Sequence, residues 1–256
     1  MFVTFFGSSA NQTANHEGVS FLIESNANNI LIDSGPGIVS SLQRSHRMAS
    51  EIDNLLLTHT HGDHILGFAY FVWNRNFERL GQTPANDLNV FGNAETIDAA
   101  RTMLEKSYPE AKFLFKVNYI ILGSNESFTV GDLSIMVVDA IHPVPTLSCV
   151  VRKKNKLLVY SADSLPNDKL FALSKNADLI VHEGMFTSSS AVLSRKVMHS
   201  TAVDAGKFAK KVNGKQLLLV HIAPELFGKE IELLKEAKKE FNGKISIPCS
   251  GSIYSI

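Results

Sequence analysis

A chain of 256 residues that is 45% hydrophobic can bury a large core, and without repeats, low-complexity tracts or a shift in composition it reads as one domain spanning residues 1–256. Lys plus Arg and Asp plus Glu stand at 25 each, so no global field draws the chain to nucleic acid or to an anionic membrane surface. Cys149 and Cys249 form no CxxC pair, which argues against a disulfide framework or a thiolate zinc knuckle and reads as two buried core residues. The opening MFVTFFGSSA has no basic segment ahead of an apolar stretch of signal length, and no run approaches ~18 apolar residues, so a cytoplasmic protein with no membrane partner is expected.

Residues 2–6, 19–24 and 29–33 read as three strands of an antiparallel opening sheet, separated by a polar loop and an Asn-rich turn. The run Asp33-Ser34-Gly35-Pro36-Gly37 breaks the third strand, and residues 38–48 suit a helix. Asp33 has two readings of equal standing, a buttress for the loop that follows and a turn-forming Asx residue. The apolar run at 55–57 reads as a buried strand ending at Thr58, and residues 65–78 have the length and apolar content of a helix. A Gly/Pro/Asn-rich connection at 81–89 leads to a βα unit, strand 88–91 and helix 94–107. Strands are expected at 113–122, 127–130 and 133–140, the last running into Ile141-His142-Pro143. A hairpin at 147–151 and 157–161 runs into Ala162-Asp163-Ser164. A helix at 166–174 begins with proline, where it is tolerated. A strand at 177–181 precedes His182-Glu183-Gly184, and a Ser-rich loop at 187–190 leads towards His199-Ser200-Thr201. Ser200 or Thr201 can cap a helix running to about residue 211. Strand 216–220, ending at His221, helix 225–240 and strand 245–248 complete the chain.

The chemistry concentrates after Thr58, where His59, Thr60, His61, Gly62, Asp63 and His64 place three imidazoles and a carboxylate in six positions. On an extended stretch alternate side chains share a face, so His59 and His61 can grip one ion. Gly62 then permits a turn that aims Asp63 and His64 at a second ion. Zinc and similar divalent ions take His nitrogen and Asp oxygen, and a catalytic site leaves a coordination position to water. His142, Asp163, His182, Glu183 and His221 also lie just past apolar strands, where open sheets place ligands and chemistry.

HTHGDH, a later strand-end His, the Asp of Ser161-Ala162-Asp163-Ser164 and the His of Leu219-Val220-His221 resemble the metallo-β-lactamase superfamily over essentially the whole chain. His182-Glu183-Gly184-Met185-Phe186, His199-Ser200-Thr201-Ala202 and LLLVHIAP resemble its ribonuclease Z branch, with Gly184 and Met185 in place of the usual small pair. The resemblance implies an α/β fold, a four-layer αββα sandwich. It implies that His59, His61 and His142 hold one divalent ion, that Asp63, His64 and His221 hold another, and that Asp163 bridges them. Zinc is the expected metal, with manganese or iron accepted by the same donors. Asp63 can also orient water. His199 matches a His that acts beside the metals on the leaving group, with Glu183 bonding to it, fixing its tautomer and raising its pKa so that it serves as acid.

Relatives of ribonuclease Z type carry a tRNA-gripping arm between the third metal His and the bridging Asp. Only twenty residues separate His142 from Asp163 here, enough for one hairpin. The expectation is therefore a dinuclear metal hydrolase of a small phosphodiester: a cyclic nucleotide, a short oligonucleotide or a phosphodiester metabolite. The alternatives are tRNA 3′ processing, hydrolysis of a carboxyl ester, lactone or sulfate ester, and a non-catalytic metal-binding scaffold. A homodimer is expected from the resemblance. His182 either supports the site or is a satisfied strand-end His. His16 and His46 read as solvated, and Phe68, Tyr70, Phe71 and Trp73 as helix core rather than a base-binding wall.

Overall fold

The computed structural model of the chain describes residues 1–13, 15–26, 28–78 and 85–256. Strands β1 (Phe2–Gly7), β2 (Ser20–Ser25), β3 (Asn28–Ile32), β4 (Asn54–Leu56), β5 (Leu88–Gly92) and β6 (Val117–Ile121) form the first sheet. The second holds β7 (Ser127–Val130), β8 (Leu133–Asp139), β9 (Leu147–Lys153), β10 (Lys156–Tyr160), β11 (Leu179–Glu183), β12 (Gln216–Val220) and β13 (Lys244–Ser246). A last strand, β14 (Ile253–Ser255), returns to the first sheet beside β1. Each sheet is mixed. The chain opens antiparallel over β1 to β3 and continues parallel through β6, while β7 to β10 are antiparallel and β10 to β13 parallel.

Period-two alternation sends successive side chains to opposite faces, and here both faces are buried. In β3, Ile30 and Ile32 join Phe5, Phe21, Leu158, Val181 and Val220 in the core between the sheets. Leu31 points the other way, among residues of α1 (Ile38–Arg44), α3 (Phe68–Phe77) and α4 (Ala94–Ser107). In β12 the same split puts Leu218 and Val220 inside, and Leu217 and Leu219 against α5 (Asp168–Leu173), α7 (Ala202–Lys211) and α8 (Glu230–Glu240). The result is the expected αββα sandwich. It explains why these strands read as unbroken apolar runs.

Several bounds differ from expectation for local reasons. The segment at 113–122 is a strand only from Val117, because Asn76 Oδ1 takes the Leu114 amide at 2.8 Å and Phe115 lies under the Arg75 guanidinium at 4.6 Å. The helix expected at 65–78 is preceded by a separate turn, α2 (Gly62–Ile65). Residues 81–84 of the expected connection lie outside the described residues. The Ser-rich stretch leads into α6 (Ala191–Lys196), and Thr201, not Ser200, caps α7 through a reciprocal bond with Asp204. Cys149 is buried, but Cys249 is exposed, since it sits in the turn that Ser252 N closes onto the Cys249 carbonyl. The twenty residues between His142 and Asp163 contain the β9–β10 hairpin. Among the described residues no helix is long and apolar enough to cross a membrane.

Candidate metal centre

The carboxyl ends of β3, β4, β8, β10, β11 and β12 bring Asp33, His59, His142, Asp163, Glu183 and His221 to one edge of the sandwich. His61 caps α2 in an extended conformation, and the first helical turn, rather than a kink at Gly62, re-aims Asp63 and His64. Gly62 has no left-handed φ. Its small size is used instead against Leu66, whose Cδ1 lies 2.8 Å from where a Cβ would stand.

His59, His61, His142 and Asp163 offer ligand atoms that all lie within 4.8 Å of one another, and so do Asp63, His64 and His221. Asp163 Oδ2 is the common point. It lies 3.1 Å from His221 Nε2, 3.5 Å from the Nε2 atoms of both His59 and His64, and 3.9 Å from His142 Nε2. His221 Nε2 also reaches Asp63 Oδ2 at 3.0 Å, and His142 Nε2 faces His61 Nδ1 at 3.1 Å. Both Asp163 oxygens and the Nε2 atoms of His59 and His64 are buried without a hydrogen-bond partner. Buried polar atoms are almost always bonded, and imidazole with carboxylate is the donor set that divalent transition metals take. The cluster is thus compatible with a dinuclear divalent metal site.

The supporting bonds fix which ring nitrogen faces inward. His64 Nδ1 donates to Asp33 Oδ2 at 2.8 Å, and His59 Nδ1 donates to Thr58 Oγ1 at 3.0 Å, which in turn donates to Asp33 at 2.9 Å. Asp33 is therefore a buttress and not an Asx turn. Thr58 and Tyr160, whose hydroxyl reaches Asp33 Oδ2 at 3.3 Å, are supporting residues that the sequence reading missed. On the opposite side His199 Nδ1 bonds Glu183 Oε2 at 3.1 Å, and the Ser200 amide donates to the same oxygen at 3.0 Å. The Ser164 amide donates to Glu183 Oε1. The His199 ring stacks on His221 with centroids 5.0 Å apart.

Burial and charge compete throughout the cluster. Burial opposes charge on Asp163 and Asp63, yet the imidazoles of His221 and His64 hold both carboxyls well below the usual range. Burial likewise opposes charge on His64, but Asp163, Asp33 and Asp63 outweigh it and raise its pKa well above the ordinary value. His59, His61 and His142 are lowered by burial, His142 to about 3, which favours the neutral imidazole that ligates metal. Glu183 is pushed well up by burial and then by Asp163. The expectation that Glu183 raises the pKa of His199 is not met: burial dominates and lowers it.

The remaining histidines separate cleanly. His182 points away from the cluster, its Nδ1 donating to the Glu183 carbonyl at 2.7 Å and its ring lying 5.0 Å from Phe208, so it is a satisfied strand histidine. His46 is exposed. His16 is half-buried rather than solvated, its ring stacked on Phe227 at 3.7 Å. Phe68 and Phe71 are core, whereas Tyr70 is exposed and Trp73 stacks on Tyr108.

A family model described as a β-lactamase superfamily domain matches residues 28–222. The chain is 28% identical to YhfI of Bacillus subtilis (strain 168), named a probable metallo-hydrolase, over 99% of each chain. The crystal structure of that metallo-β-lactamase fold protein superposes with a TM-score of 0.86 at 26% identity, covering 99% of this chain and 98% of that one. Ribonuclease Z of Ligilactobacillus salivarius (strain UCC118) is 28% identical over 82% of each chain. The short form of human tRNase Z shares the fold, with a TM-score of 0.80 at 21% identity over 100% of this chain and 99% of that one.

Proposed function

The chain belongs to the β-lactamase superfamily, and from that premise we propose that it is a metal-dependent hydrolase acting on a small phosphodiester. His59, His61 and His142 would hold one divalent ion, Asp63, His64 and His221 the other, and Asp163 would bridge them. The observation that carries the reading is the position of Asp163 Oδ2, within 3.9 Å of inward nitrogens from both groups. When bound, such ions supply Lewis-acid polarisation of a phosphoryl oxygen and make water acidic enough to attack near neutral pH. Asp33 takes up the Nδ1 hydrogen bond of His64 and, through Thr58, that of His59, so Nε2 is the atom each ring would offer to an ion.

His199 adds the second half of the chemistry. With Nδ1 held by Glu183, the other ring nitrogen is the one that meets a substrate, and it protonates the leaving oxygen. Burial lowers its pKa and favours the neutral ring at rest, so the ring must gain a proton before it can act as the acid. This acid favours an ester whose leaving alkoxide needs a proton. The likeness to ribonuclease Z supports a phosphodiester, and the short hairpin between His142 and Asp163 supports a smaller one than tRNA.

Zinc is the proposed native metal and a cytoplasmic homodimer the proposed form. The exposed apolar side chains of Leu66, between α2 and α3, and of Tyr70 and Phe77 on α3 support an apolar contact face. Elemental analysis and sedimentation test these points. For the reaction, metal-loaded protein is given bis(p-nitrophenyl) phosphate alongside a monoester, a lactone and an aryl sulfate. The diester is expected to show the largest kcat/KM, and turnover no greater than that of Asp63→Ala refutes the reading.

A further inference from the structure

A cavity of about 430 Å³ opens beside the cluster, between the end of β1, the loop at His16 and the N-terminal half of α8. None of its lining residues is a ligand, but its wall joins the ligands through neighbouring residues. Ser9 pairs with both Gly18 and Ile222; Ile222 follows His221, and Gly18 packs so closely on Asp63 that a Cβ would lie 2.3 Å from the Asp63 carbonyl oxygen. The volume is that of a small-molecule site.

The lining selects among ligands. Phe227, Leu234, Ile247 and Pro248 make it largely apolar, and the His16 ring lies flat on Phe227 with only 5° between planes. Among the described residues no Lys or Arg lines it, and its carboxylates are Glu17 and Glu230. Glu17 is engaged by Arg44. Glu230, whose side chain is 33% exposed, stands 4.0 Å from His16 Nε2. Such a pocket repels a second phosphate and accepts a planar, mostly apolar group with hydrogen-bond donors on one edge.

Building on the phosphodiesterase reading, we propose that this cavity binds the nucleoside half of the substrate and that Glu230 selects bases bearing an exocyclic amino group. Adenine and cytosine present that donor, whereas hypoxanthine and uracil put an acceptor carbonyl at the same place. The pairs match in shape, so stacking on the aromatic wall cancels and the carboxylate decides. A hydrogen bond to a charged group changes affinity about tenfold or more.

Cys249 provides a direct probe. It lines the cavity and is exposed, while Cys149 is fully buried with its thiol pushed up to about 12 by that burial. N-ethylmaleimide modification of Cys249, followed by mass spectrometry, therefore reads occupancy without any turnover. Adenosine and cytidine are expected to protect Cys249 at concentrations about tenfold below inosine and uridine, and Glu230→Gln is expected to erase that difference. The p-nitrophenyl ester of adenosine 5′-phosphate is likewise expected to exceed the inosine ester in kcat/KM by about tenfold. Turnover of these esters without protection of Cys249, or equal protection by all four nucleosides, overturns the subsite while leaving the reaction standing. Selective protection without turnover of any diester overturns the reaction, and with it the assignment of the cavity to a substrate.

Discussion

Asp33 reaches both halves of the proposed centre, and replacing it with asparagine separates them. The carboxylate is fully buried and accepts from Thr58 N at 2.8 Å, Thr58 Oγ1 at 2.9 Å, His64 Nδ1 at 2.8 Å and the Tyr160 hydroxyl at 3.3 Å. In Asp33→Asn the amide oxygen can keep the Thr58 bonds, and so the His59 tautomer. The amide nitrogen must then face His64 Nδ1, which moves the imidazole proton to Nε2 and removes the lone pair aimed at Asp63 and Asp163. Loss of such a support typically costs 10–100-fold in metal affinity, about 1.4–2.7 kcal/mol, and the effect falls on the His64 ion alone. The unpaired Tyr160 hydroxyl adds about 1–3 kcal/mol of destabilisation. Calorimetric titration of chelator-stripped protein with zinc is expected to show two sites in the parent chain, and one strong and one weakened site in the variant. Urea unfolding of the stripped forms reads the hydroxyl term. Two zinc sites of parental affinity in a folded Asp33→Asn protein would refute the reasoning.

Removing His199 as His199→Ala is expected to lower kcat about 10²–10⁴-fold for diesters with alkoxide leaving groups, and much less for p-nitrophenyl esters, whose leaving group needs no proton; a leaving-group series measured at saturation checks this. Gly35→Ala would put a Cβ 2.1 Å from the Asp63 carbonyl oxygen, so α2 must shift. The expected outcome is about 1–3 kcal/mol of lost stability by thermal unfolding, with lowered metal content by elemental analysis. Chelation is expected to lower Tm, because free ion at a thousandfold over Kd contributes about 4 kcal/mol, or about 8–16 °C, for a chain of this size; calorimetry with and without chelator measures it. Asp178 is pushed up by burial but held below its ordinary value by Lys215, the Leu157 amide and Lys156. A folded pKa below the unfolded one stabilises above the unfolded value and is lost as pH falls through the folded one. Asp178→Asn is therefore expected to be less stable at pH 7, with the gap closing below about pH 4 in urea titrations.

The convergence of the His and Asp side chains was legible because each sits in a short motif beside the end of an apolar strand, and helix α4 and strands β7 and β12 were legible to the residue, since their patterns are long or cleanly bounded. Strand β14 was not, because three residues of Ile253–Ser255 carry too short a pattern to register. Nor was the cavity. Its walls come from residues near 8, 16, 222, 227, 230 and 248, and no periodicity links positions that meet only through the ends of β1, β12 and β13. The role of Asp33 stayed open because an Asp after a strand and before Ser-Gly-Pro-Gly suits a turn as well as a buttress, and only burial beside His64 decides.

Backbone strain gives the site a further signature that residue identity hides. Among the described residues ten non-glycine residues adopt a left-handed φ. Four are asparagines, Asn26, Asn125, Asn176 and Asn213, a residue type that tolerates this region. Four others belong to the site: Asp33 at +59°, Ala162 at +49°, Met198 at +59° and His221 at +59°. Ala162 precedes Asp163 and Met198 precedes His199, so each of these either is a site residue or aims the one after it. A left-handed non-glycine residue costs roughly 1–2 kcal/mol, and glycine at Ala162 or Met198 would remove that cost at the price of a looser chain. The strain is kept where the chain turns abruptly at the strand ends, on Asp33 and His221 themselves and on the residues just before Asp163 and His199. Strained backbone of this kind persists only where the surrounding structure holds it, and at these four positions it fixes the placement of Asp33, Asp163, His199 and His221 at the cluster.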